Sequence, residues 1–152
     1  MRLLKKIVVK STYIHPRLHS SLPLLIREIY HPSLGLSQKQ RVKVVKQISE
    51  EIFEECFFNE TVYSGLKSAT RPKFLHIGLK FWELLGLETV RREEDDATKT
   101  KVLQILLSQG FLRVFVRSLS MQKGVLYEVA KQVKQALIKM MEQAHVKSDF
   151  AI

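Results

Sequence analysis

The stretch "PKFLHIGLKFWELLG", residues 72–86, decides how this chain folds. Phe74, Leu75, Ile77, Leu79, Phe81, Trp82 and Leu85 recur at helical intervals, yet they occupy more than one side of the helix. A surface helix shows a single apolar stripe. One that is greasy on several sides must be covered on several sides. Pro72 is tolerated only in a first turn, which puts the helix start near Thr70, and Gly86 falls near its end. The stretch therefore predicts a middle helix covered by neighbouring layers.

Toward the N-terminus, Leu18, Leu22, Leu25, Ile26 and Ile29 follow Pro16 at three- and four-residue spacing, and His31-Pro32 stops that helix. Gly35 and Ser37 then turn the chain. Ser37 and Gln40 have the capping-box spacing, in which each side chain satisfies the other's free backbone amide. Val42, Val45, Ile48, Ile52 and Cys56 continue inward from that start, while Glu50, Glu51, Glu54 and Glu55 cover the outside. Residues 59–69 read as a loop of turn formers and small polar residues.

Toward the C-terminus, "RREEDD" at 91–96 reads as a solvated loop rather than a metal-binding cluster. Val102, Leu103, Ile105, Leu106 and Leu107 form the next helix, broken at 108–110, and "FLRVFVRSL" begins a short apolar one. Ser120 is the expected cap of the last helix, in which Leu126, Val129, Ala130, Val133, Leu137, Met140 and Ala144 keep an i, i+3, i+4, i+7 stripe. No segment of useful length alternates strictly. The expectation is an all-α chain of antiparallel helical hairpins, stacked as an ARM/HEAT-like α-solenoid segment, with a compact bundle as the competing architecture. The whole of residues 1–152 is taken as one repeat segment, part of a larger architecture.

No run approaches the roughly 18 apolar residues of a membrane helix, which predicts a soluble chain with no membrane partner. A single cysteine, Cys56, excludes an internal disulfide and points to a reducing compartment. The net charge of +10 is unevenly placed: residues 1–46 hold ten Lys and Arg against one acid, Glu28, whereas residues 47–152 hold fifteen against fourteen. Such asymmetry suits a surface facing phosphates or an acidic protein, and it also suits a solubilising face balanced elsewhere. The candidate contacts are Arg2, Lys5, Lys6, Lys10, Arg17, Lys39, Lys43 and Lys46. Lys39, Lys43 and Lys46 share a stripe near a helix start, where cations oppose the macrodipole and add no local stability. Few aromatics interleave with them, so base stacking is not indicated.

Catalytic and metal chemistry finds little support. His15 and His19 are four apart, but Pro16 puts His15 ahead of the helix and no acid lies between them. His76 sits among Phe74, Leu75 and Ile77 as a core or groove histidine, and His31 and His145 have no companions. Cys56 lacks a histidine partner and reads as packing. Asp95 and Asp96 are adjacent in a charged run, which does not supply the converging carboxylates of two-metal chemistry. No catalytic residue, metal, cofactor or small-molecule substrate is expected.

Three segments in order resemble the middle of the Myb-binding protein 1A family, also called the DNA polymerase phi family, of nucleolar helical-repeat proteins. They are "HPRLHSSLPLLIREI" at 15–29, "SATRPKFLHIGLKFWELL" at 68–85 and "QGFLRVFVRSLSMQKGVLYEVAKQVKQAL" at 109–137. The chain departs from the pattern at Pro72, Gly124 and Val125, where the family usually has basic or aromatic residues. The resemblance implies a non-enzymatic role in the nucleus and nucleolus: association with ribosomal DNA chromatin, transcription regulation, and support of rRNA processing and ribosome biogenesis. It also implies nucleolar protein partners and DNA or RNA contact. The alternative is a HEAT- or karyopherin-type protein-interaction scaffold without direct nucleic-acid binding.

Overall fold

In a computed structural model the described residues are Tyr30 and residues 35–146. They are all-helical: α1 Gln38–Ile48 runs directly into a π-helical segment, Ser49–Phe57. Then come α2 Glu60–Ser64, α3 Arg71–Arg92, α4 Asp96–Leu106, α5 Gln109–Ser120 and α6 Val125–Gln143. The helix expected after Pro16, and its stop at His31-Pro32, lie outside the described residues.

α3 is the centre. It packs most extensively on α6 and also meets the π segment, α2, α4 and α5, while α1 packs on α4. This coverage is what its many-sided apolar sequence requires: Phe74, Leu75, Ile77, Leu79, Phe81, Trp82 and Leu85 are all buried. Two glycines let neighbours approach closely. A Cβ on Gly78 would stand 2.8 Å from Phe57 Cβ, and one on Gly86 would stand 2.5 Å from Met140 Cε.

The π segment sets the aromatic core. Its wider ladder bonds residues five apart, as in Phe58 N–H donating to Phe53 O at 2.7 Å. In an α-helix those two side chains would diverge by about 140°; here their rings stack at 5.3 Å. Phe53 also meets Phe81, and Phe58 meets Phe111 of α5. Phe111 lies face to face with Trp82 at 3.8 Å. The Trp82 indole N–H donates to Leu106 O at 2.8 Å, and Ser49 Oγ donates to Ile105 O at 3.1 Å. Two side chains from elsewhere in the fold thus satisfy two of the carbonyls left open at the end of α4.

Several boundaries differ from the sequence expectation. Residues 59–69 contain α2: Asn59 accepts from the amides of Thr61 and Val62, and Glu60 occupies the first turn. Asp95 and Asp96 open α4 instead of lying in a loop. The Asp95 side chain accepts from Thr98 N–H, and its bond to the Thr98 hydroxyl holds the carboxyl below its ordinary pKa. Arg91 and Arg92 belong to the last turn of α3. Ser120 ends α5, donating to Arg117 O, and the last helix starts at Val125 behind Gly124, whose φ of 97° suits glycine. His145 does have a companion, with Nδ1 2.9 Å from Asp96 Oδ2.

The capping box at Ser37 and Gln40 forms with both reciprocal bonds, as its spacing predicts. Every named position of the last helix's apolar stripe is buried, from Leu126 to Ala144. Among the described residues no single helix is long and apolar enough to cross a membrane.

Candidate nucleic-acid interface

α1 carries the described part of the basic face. Lys39, Lys43 and Lys46 are exposed, and their four- and three-residue spacing gathers them within a narrow arc of the helix. None of the three forms an ion pair among the described residues. The opposite side of α1 is held by buried Val45 and Ile48, so the stripe is displayed by a helix fixed to the core. Toward the C-terminus it gives way to the acidic π segment, in which Glu50 and Glu55 are exposed. Arg2, Lys5, Lys6, Lys10 and Arg17 lie outside the described residues.

Arg41, interleaved with those lysines, has another use. Its Nε and Nη2 donate to the two carboxylate oxygens of Glu93 at 2.9 and 3.1 Å, and Nη1 donates to Leu36 O at 2.8 Å. The bond to Glu93 raises the Arg41 pKa still further above its ordinary value. Glu93 belongs to the "RREEDD" run read as solvated, yet it is 2% exposed. Tyr30 completes the junction. Its hydroxyl donates to Glu93 Oε1 at 3.0 Å, and the Arg41 and Arg92 guanidinium carbons lie 5.4 and 5.5 Å from its ring centroid. Burial, reinforced by Glu93, pushes the Tyr30 phenol well above its ordinary value. Part of the positive charge of the first third, that of Arg41, is therefore neutralised within the fold by a carboxylate 52 positions away.

Cys56 is buried in the core, and His76 is half-buried on α3. Among the described residues no group of three or more His, Cys, Asp or Glu side chains could hold a metal ion. His15, His19 and His31 lie outside the described residues.

One feature of the arrangement escaped the sequence: the Arg71 guanidinium closes the end of α2 by donating to the carbonyls of Tyr63, Ser64 and Leu66. Its signal was an arginine beside a helix-opening proline, a local pattern too common to single it out. Comparison with known proteins gives no match: no family model, no curated protein and no solved structure aligns significantly with this chain.

Proposed function

We propose that this chain is a non-enzymatic scaffold segment that engages nucleic acid through a basic face. In this reading Lys39, Lys43 and Lys46 join the basic residues of 1–17 in contacting phosphates without reading sequence. The observation that carries it is the display of those three lysines on one exposed arc of α1, none of them spent on an ion pair among the described residues. The resemblance of the three ordered segments to the Myb-binding protein 1A family sets the context: a nuclear and nucleolar protein, associated with ribosomal DNA chromatin and supporting transcription control and ribosome biogenesis. The helical unit would then be one part of an ARM/HEAT-like stack. Binding of the purified chain to duplex DNA and structured RNA tests the reading. Affinity that falls steeply with salt supports it; absence of binding to both overturns it.

A second reading starts from Arg41, which on this same helix pairs with a carboxylate of the fold itself, that of Glu93. An acidic segment of a partner protein would meet the same lysines, as in an interaction scaffold of HEAT or karyopherin type. Pull-down before and after nuclease treatment separates the two, because a protein partner survives the nuclease.

A further inference from the structure

A cavity of about 280 Å³ opens between the α2–α3 connection and the turn from α5 into α6, and Lys39, Lys43 and Lys46 are not among its lining residues. Among the described residues its charged lining is Arg71 and Arg117, with no acid beside them. Arg71 is committed to the fold through Nε and Nη2, but no bond among the described residues engages its Nη1. The Arg117 guanidinium is exposed and has no carboxylate partner among the described residues. Ser64, Ser68 and Ser118 add hydroxyl donors, while Leu75, Val114 and Leu126 give the cavity an apolar floor.

Two like charges bordering one small space repel each other and favour any anion that enters between them. A carboxylate is matched by a single guanidinium fork. A phosphoryl group carries close to two negative charges and three acceptor oxygens, which answer two guanidinium groups and hydroxyls together. The volume exceeds what a bare phosphate fills, and the apolar floor rewards a compact hydrophobic body. We propose that this cavity is a binding site for a phosphomonoester borne on a small apolar group, held by Arg71 and Arg117.

Amide chemical shifts of the full chain, titrated with phenyl phosphate, test this. The expected result is saturable shifts confined to residues 63–75 and 114–126, with weaker responses to phenylacetate and to inorganic phosphate. Because Arg71 also closes α2, the diagnostic variants are at exposed positions. Arg117→Gln should weaken phenyl phosphate binding about tenfold, and Met121→Glu, which supplies an internal carboxylate at the cavity, should abolish it while both variants keep the wild-type melting profile. Absence of saturable shifts, an unchanged affinity in Arg117→Gln, or shifts centred on residues 39–46 would each overturn the assignment.

Discussion

The Arg41 guanidinium clasps the Glu93 carboxylate through two bonds of 2.9 and 3.1 Å, tying the first helix of the described fold to the end of its central one. The carboxylate is the more deeply buried partner, with its side chain 1% exposed against 22% for arginine. Removing the arginine leaves a buried carboxylate without its ion-pair partner, held by the Tyr30 hydroxyl alone of these contacts. Arg41→Met should therefore cost about 3 kcal/mol, and a combined Arg41→Met/Glu93→Gln variant should recover part of the loss. Urea melts of the two single variants and the double variant give the coupling; strictly additive effects would refute it.

Tyr30 makes the same junction pH-dependent. Its folded-state pKa lies above the ordinary phenol value of 10.0, so the protonated form is the one the fold favours. That contribution is complete below pH 10 and is lost as pH rises beyond it. Tyr30→Phe should cost about 1.5–3 kcal/mol near neutrality, the size of one hydrogen bond to a charged acceptor. Wild type and variant should converge in alkaline solution. Chemical melts across that range measure the gap, and a gap that widened would contradict the assignment.

The glycines on α3 predict an order of sensitivity. At Gly78 an added methyl meets Phe57 Cβ and Cγ, atoms close to a buried backbone that cannot swing away. At Gly86 it meets Sδ and Cε of Met140, the far end of a flexible chain. Gly78→Ala should cost about 1–3 kcal/mol by overpacking. Gly86→Ala should be nearly neutral, because the gain in helix propensity, about 1 kcal/mol, offsets the adjustment of methionine. Thermal melts decide, and the reverse order would be wrong for this packing.

Helix α5 is capped from outside its own sequence. Ser108 stands at the N-cap position without a side-chain cap bond, and its buried hydroxyl has no partner among the described residues. Glu54 of the π segment instead accepts from Gly110 N–H at 3.1 Å. Ser108→Ala should accordingly change stability by less than about 0.5 kcal/mol, whereas Glu54→Ala should cost about 1 kcal/mol or more. Equal losses at the two positions would show that the local serine is the true cap.

What could be read in the sequence was what repeats locally. Apolar spacing identified the buried positions of α1, α3 and α6, and the Ser37–Gln40 spacing identified a helix start, because both depend on neighbours within a turn or two. The π register at 49–57 was hidden, since Ile52 and Cys56 suit an α-helical stripe just as well. Glu93 was misread for a different reason: a carboxylate inside a charged run looks solvated when its partner, Arg41, is 52 residues away. The short α2 left a legible signal in Asn59-Glu60, an N-cap followed by an acid, but five residues carry no periodicity. For the lysine stripe, spacing alone placed Lys39, Lys43 and Lys46 on one face, and the structure adds their exposure. Arg71 and Arg117, 46 positions apart, meet at one cavity only through the fold.

The most direct test of the proposed role is the salt dependence of duplex DNA binding by wild type and by a Lys39→Glu/Lys43→Glu/Lys46→Glu variant. Each phosphate contact contributes about −0.9 to the slope of log affinity against log salt. The variant should bind more weakly, with a slope shallower by about 2–3, while melting as wild type does because all three positions are exposed. An unchanged slope and affinity in a folded variant would contradict a nucleic-acid role for this face.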